Sequence, residues 1–333
     1  MVRWIANHGT PGAHPGSRVL FSRRTPSAIA ARNGNRSGRP GNTVGADNEE
    51  GMRPTVIFDT SALNGLANEP EAAAIATCLG KRAFLRLTET DLSEIAATTK
   101  PEARKKLVET CQRLIGNAEC IGPHHWIIEE QVKRHVRRPN NFYWQGVDVR
   151  VPALEAEVVN PRFLNDDTVA VESRELSFGT EKQFKQMFRE ARERFPIPPD
   201  ERIQITLQDV VELALKDGAH WRMAADIYER YSGTRLSEPE IRNFVNDCPP
   251  FNAMMLSTCV AHFHGSVRDH RLPATYDAGR IDLMCSVYLP YCDSFVTRDD
   301  GQFNSLTEIA KLSGLSTRVM YYKDFRDSSP IND

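Results

Sequence analysis

The feature that constrains the fold most is a strand–helix alternation found near both ends of the chain and missing from its middle. The stretches TVIF (55–58), AFLRL (83–87) and AECI (118–121) are short and apolar, with helical sequence between them. SFVT (294–297) and RVMYY (318–322) repeat the arrangement later on. Strands separated by a helix's worth of chain pair in parallel, because a parallel neighbour is reached only through a long crossover. Such a sheet carries helices on its faces. The expected fold class is therefore α/β, a parallel sheet sandwiched by helices.

The middle, 124–275, reads as helical. Helices are expected at 180–195, 206–217, 219–231, 237–247 and 251–264, joined by Pro-bearing loops such as RRPNNFYW and FPIPPDE. Outside it, helices are expected over 61–79, with Pro70 at a helix start, over 101–115 and across DAGRIDLMCSVYL (277–289). The expected organisation is one α/β unit in two parts, 52–123 and 276–333, interrupted by a large helical insertion at 124–275. Residues 1–51 are rich in Gly, Pro, Ser, Asn and Arg, and their first acid is Asp47. Such a stretch buries too little to offset its ordering entropy, so a disordered tail is expected. Translation from Met52, an organelle transit peptide and a nucleic-acid-binding arm are the readings it leaves open.

Composition narrows the function classes. A formal net charge of -2 gives no global basic field, so a polyanion must be met by a local patch. Seven cysteines without CxxC spacing read as free thiols in a reducing, cytoplasmic compartment. No apolar run approaches the roughly 18–20 residues of a membrane span.

The strand tips carry the chemistry. In TVIFDTSAL an apolar strand ends on Asp59, and in SFVTRDD another ends just before Asp299. Ligands of open parallel sheets bind beyond the carboxyl ends of strands, where the strand order reverses. If these two strands are neighbours, Asp59 and Asp299 face one another there. Glu94, on the helix after the second strand, and Asp282, early in RIDLM, can lean toward the same edge. Taken singly, each acid reads as a helix cap, a turn former or a solvated residue. Gathered together, they repel one another unless a cation neutralises them. An oxygen-only ligand set suits Mg²⁺ or Mn²⁺, and that combination suits attack of metal-activated water on a phosphodiester.

On VIFDTSAL, LTETDLSEI, RIDLMCSVYLPYCDSFVT and VTRDDGQF the chain resembles the PIN-domain (PIN-like) nucleases. The resemblance covers about 54–122 and 275–325. It implies an α/β/α sandwich and a Mg²⁺- or Mn²⁺-dependent endoribonuclease, with Asp59, Glu94, Asp282 and Asp299 as catalytic metal ligands. Thr60, Ser61, Asp293, Thr297 and Asp300 are expected to support them. Compact family members have no counterpart of 124–275, and the ending PYCDSFVTRDD (290–300) looks like that of larger bacterial members. The expected partner is RNA. A structure-specific DNA nuclease and a non-catalytic RNA-binding or assembly module are the alternatives, and self-association and an antitoxin partner stay open.

An RNA substrate needs cations. Lys182, Lys185, Arg189 and Arg192 recur at three, four and three residues, one face of a helix. That face reads either as a phosphate-tracking stripe or as a solvated surface. KRHVRRPNNFYW sets Lys133, Arg134, Arg137 and Arg138 beside Phe142, Tyr143 and Trp144, a loop suited to stacking unpaired bases or a purely structural one. Other chemistries lack their motifs. There is no P-loop or dinucleotide fingerprint, and His262 and His264, two apart, point to different helix faces.

Overall fold

The computed structural model describes residues 53–115, 118–194, 196–268 and 278–328, so the tail expected at 1–51 lies outside the described residues. Five strands, β1 Thr55–Phe58, β2 Phe84–Thr88, β3 Ala118–Ile121, β4 Ser294–Thr297 and β5 Arg318–Tyr321, match the sequence expectation to within a residue. All pair in parallel, in the order β3-β2-β1-β4-β5. The chain steps outward from β1 to β3 and then returns to the other side of β1. The order therefore reverses between β1 and β4, where Phe58 stands opposite Val296.

The helices are α1 Thr60–Ala67, α2 Ala72–Arg82, α3 Glu89–Ala96, α4 Pro101–Leu114, α5 His124–Arg137, α6 Pro152–Val159, α7 Asp167–Arg194 and α8 Pro199–Arg202. They continue with α9 Leu207–Lys216, α10 Ala219–Ser232, α11 Glu238–Asp247, α12 Pro249–His262, α13 Arg280–Met284, α14 Asp300–Leu312 and α15 Tyr322–Ser328.

The period of two along each strand sorts these helices into layers. Val56, Phe58, Leu85, Leu87 and Val296 pack with Leu63, Leu66, Val108 and Phe325, so α1, α4 and α15 cover one face. Ile57, Ile121 and Phe295 point the other way, into a core shared with Tyr228, Phe244, Phe251, Val260 and Tyr288. The helices of the middle stretch thus form the second layer on the sheet. Phe244 sits at the centre of that layer, with its ring centroid 5.0 Å from those of Tyr228 and Phe251 and 4.8 Å from that of His135.

Several helices depart from the sequence expectation, each for a visible reason. The stretch 61–79 is two helices, broken around Pro70, whose ring and missing N–H interrupt a ladder. Helix α7 starts at Asp167 rather than 180, and α5 and α6 are helices beyond those expected in the middle stretch. Of the described residues in 277–289 only Arg280–Met284 are α-helical; Cys285–Tyr291 is a 3₁₀ turn that contains Pro290. Val287, Tyr288 and Leu289 are successively buried, a pattern that no one-sided helix face can satisfy. The π-helical turn Phe263–Val267 extends α12. No helix among the described residues is long and apolar enough to cross a membrane, and the seven cysteines are unpaired.

Candidate active site

Strand pairing continues one residue past β1, since Asp59 N donates to Val296 O at 3.0 Å. That bond holds Asp59 in extended backbone geometry as the N-cap of α1. Ala62 N donates to Asp59 Oδ1 at 2.7 Å, and Ser61 Oγ donates to its carboxylate at 2.8–2.9 Å. Thr297 Oγ1, the last side chain of β4, reaches across and donates to Asp59 Oδ2 at 2.9 Å. Both hydroxyls are themselves positioned by the chain. Arg298 N donates to Ser61 Oγ at 2.7 Å and Asp299 N to Thr297 Oγ1 at 3.0 Å.

The network runs on from β4. Asp299 caps α14 by accepting from Gln302 N at 2.7 Å. The Gln302 amide lies 3.5 Å from Asp282 Oδ1, and Gly279 N donates to Asp282 Oδ2 at 2.8 Å. Asp59 and Asp299 therefore stand at adjacent strand ends at the reversal of strand order, the position at which open parallel sheets bind ligands. Each of the three aspartates also satisfies orphan N–H groups at the start of its helix. The cap and ligand readings of these residues are compatible.

Electrostatics ties the fourth acid to them. Burial pushes the Glu94 carboxyl up to about 7, a hydrogen bond from Thr60 opposes this, and Asp282, Asp59 and Asp299 push it further. Asp282 rises to about 6, through burial first and then repulsion by Asp299 and Asp59. Asp59 rises to about 6 by burial, against the hydrogen bonds from Ala62, Ser61 and Thr297. The four acids singled out in the sequence thus share one electrostatic neighbourhood. Yet among the described residues no three His, Cys, Asp or Glu side chains are gathered closely enough to hold an ion as they stand. The donor chemistry nonetheless fits a hard divalent cation: the four side chains offer oxygen donors only, and neighbouring carboxylates push up the carboxyls of Glu94 and Asp282.

Two further acids join this neighbourhood. Asp91 is buried beneath the site, where burial holds its carboxyl well above the usual range and Glu94 and Asp59 add to the effect. It accepts from Thr88 N and Thr88 Oγ1 as the far half of the α3 capping box. The T-x-x-D spacing in TETD marks that cap in the sequence, but not its depth. Glu181 comes from α7. Its Oε2 accepts from Arg280 N at 2.9 Å, and its charge repels Asp282. A Cβ placed on Gly279 would lie 3.1 Å from both Asp282 Oδ2 and Glu181 Oε2, so two carboxylates crowd that glycine. No sequence signal marks Glu181, because its approach to Asp282 depends on how α7 packs.

The supporting residues divide. Thr60, Ser61 and Thr297 lie among the acids. Asp293 does not: its Oδ2 accepts from Thr55 N at 2.7 Å, at the opposite ends of β1 and β4 from Asp59. Asp300 turns outward, where it accepts from the Tyr321 hydroxyl at 3.0 Å. The cationic stripe is also broken. Lys182 and Arg189 are exposed and Lys185 lies 3.6 Å from Glu181, but Arg192 turns in to donate to Gly265 O. In the other basic segment Lys133 pairs with Glu129 and Glu130, at 2.8 and 2.9 Å, and Arg134 donates to Gly146 O at 2.7 Å. Arg137 and Arg138 are exposed at the end of α5. Phe142 and Trp144 pack on the core, which leaves only Tyr143 of the three aromatics outward and corrects the base-stacking loop.

Comparisons of the chain with known protein families, with curated proteins and with solved structures found no match.

Proposed function

We propose that the protein is a metal-dependent endoribonuclease of the PIN-like kind, acting at the β1–β4 switch point. The observation that carries this reading is the placement of Asp59 and Asp299 beyond the carboxyl ends of two adjacent parallel strands, near enough to Glu94 and Asp282 to push up the carboxyls of both. Structural acids are normally separated or paired with cations, whereas Asp59 and Asp299 here raise the proton affinity of both Glu94 and Asp282. Asp59, Glu94, Asp282 and Asp299 would hold the ion, Mg²⁺ or Mn²⁺. When bound it supplies neutralisation of these charges, a more acidic water and charge stabilisation on a phosphate oxygen.

The chain's own residues do the positioning. Ser61 and Thr297 fix the Asp59 carboxylate through their hydroxyls, and both are locked by backbone N–H groups of the segment after β4. Gln302 links the Asp299 and Asp282 branches. Lys182 and Arg189, on the outer surface of the helix that delivers Glu181, are the cations that would follow an RNA backbone. The test is cleavage of a fluorogenic RNA with Mn²⁺, with EDTA, and by Asp59→Asn. Cleavage that needs Mn²⁺ and is lost in the variant supports the reading. RNA binding without cleavage, or cleavage of DNA alone, overturns it.

A further inference from the structure

The acids at the switch point have a cationic counterpart in the helical layer. A pocket of about 290 Å³ takes its wall from α7, from α12 with the π-helical turn after it, from α13 and from α14. A space framed by several elements is a pocket rather than a groove along one helix, and its volume lies at the lower edge of the roughly 300–1,000 Å³ of small-molecule sites. Part of the wall is apolar, with Phe184 and Phe188 set edge to face at 4.8 Å. Gly265 lets the π-helical turn close on α7, since a Cβ there would lie 2.6 Å from the Phe188 ring.

Charge identifies what this pocket takes. Lys185, Arg189 and Arg192 belong to the wall, and no Asp or Glu does. Arg192 is committed to Gly265 O, and His264, also in the wall, is paired with Glu308 at 2.9 Å. Lys185 and Arg189 are exposed and line the pocket, so their charges are accessible from it. Lys185 has a long contact of 3.6 Å with Glu181, and Arg189 makes no ion pair among the described residues. Two accessible cations, with no carboxylate in the same wall, suit a dianion. A phosphate monoester carries about −1.5 to −2 near pH 7, whereas a diester inside a strand carries a single charge. Lys and Arg are the side chains that bind phosphate best.

Position ties the pocket to the acid site. Leu283 of its wall directly follows Asp282. Along α7, Lys185 and Arg189 stand about 6 and 12 Å beyond Glu181, at 1.5 Å per residue. Glu181 in turn crowds Asp282 at Gly279. A strand end held by Lys185 and Arg189 therefore lies within a few nucleotides of the acids.

We propose that this pocket seats the terminal phosphate monoester of an RNA strand and so sets how far from that end the strand is cut. The inference rests on the nuclease reading for the cut, while binding of the phosphorylated end does not depend on it.

Binding is measured in EDTA and cleavage separately in Mn²⁺, which keeps the two readings apart. The full chain is titrated by calorimetry with one short single-stranded RNA carrying a 5′-phosphate, a 3′-phosphate or neither, and with adenosine 5′-monophosphate. At least tenfold tighter binding of one phosphorylated form than of the unphosphorylated RNA, reduced below twofold in a Lys185→Ala, Arg189→Ala double variant, supports the proposal. The end that binds gives the direction of the strand. Both side chains are exposed, so an unchanged melting temperature of the double variant is the check that it is folded. Lys182→Ala, on the same helix outside the pocket, should weaken all three RNAs alike. Equal binding of the three RNAs, an equal gain from either phosphorylated end, or a gain that survives the double variant overturns the proposal. Adenosine monophosphate binding as tightly as the phosphorylated RNA also overturns it, because the site then serves a free nucleotide. If RNA is cleaved in Mn²⁺ at positions indifferent to the end phosphate, the pocket proposal falls and the nuclease reading stands. If the end preference is present but no RNA is cleaved, the nuclease reading fails and the pocket stands as a site for phosphorylated RNA ends.

Discussion

Replacing Asp59 by asparagine should stabilise the metal-free protein near neutral pH and remove its response to Mn²⁺. Burial raises this carboxyl from 3.8 to about 6 even though four hydrogen bonds favour its ionised form. At pH 7.5 the group is ionised, and a shift of about 2 units corresponds to roughly 3 kcal/mol by which the folded state disfavours that charge. Asparagine is isosteric and neutral, so it escapes this penalty. It retains an oxygen for Ala62 N, but its NH₂ must donate where Thr297 Oγ1 now donates. Thr297 Oγ1 and Ser61 Oγ each already accept one backbone N–H, which leaves them a second lone pair to accept with. Reversing those bonds exchanges charge-assisted for neutral ones, at about 1–2 kcal/mol. The net expectation is a gain of about 1–2 kcal/mol in EDTA, measured by urea titration. The pH course has a definite sign. A carboxyl raised in the folded state loses stability for the protein as pH climbs from its unfolded value near 4 through its folded value near 6, so the advantage of the variant should vanish by about pH 5. The buried neutral histidines act in the opposite direction, losing stability as pH falls below about 6.5, but they are common to both proteins and cancel in the difference. Mn²⁺ should raise the melting temperature of the wild type and barely move the variant. A variant less stable than wild type by more than about 1 kcal/mol at pH 7.5 in EDTA, or an equal Mn²⁺ effect on both, would refute the reasoning.

Other outcomes follow from the same geometry. Glu181→Gln should lower the Asp282 carboxyl and shift the pH midpoint of Mn²⁺ stabilisation downward, while an unshifted midpoint would separate α7 from the site. Lys182→Ala with Arg189→Ala should flatten the salt dependence of RNA binding by up to about 0.7 log units for each phosphate no longer neutralised, whereas Arg192→Ala should leave the slope unchanged because that side chain serves Gly265. Phe244→Ala should cost about 3–5 kcal/mol and lower one cooperative transition. Two separate transitions would show that the helical layer and the sheet do not share a core.

The sheet was legible because its signals are local: short apolar runs, β-branched or aromatic at alternate positions, closed by Asp, Thr or Gly. The aspartates at 59 and 299 were legible for the same reason, since a strand of four residues fixes where its next side chain stands. What failed was whatever depends on packing between distant elements. Lys182 and Arg192 look alike in a helical wheel, and only the π-helical turn after α12 draws Arg192 inward. Phe142 and Trp144 look like an exposed stacking pair until Phe244 and Tyr291 are found against them, at 5.5 and 5.3 Å. Asp293 immediately precedes β4, and adjacency in sequence groups it with the acids, but the length of β4 separates its two ends, and Asp293 sits at the one away from Asp59.

The same physics bears on what the middle stretch is for. Ile57 and Phe295 are fully buried, in a core they share with side chains of α10, α11 and α12 and of the 3₁₀ turn before β4. An insertion that merely decorated a complete nuclease would leave the sheet covered without it. Here the helices between β3 and α13 supply one of the two layers that a parallel sheet requires. They also bring a carboxylate, Glu181, to within reach of the backbone that holds Asp282. Stability and site geometry are therefore coupled through α7.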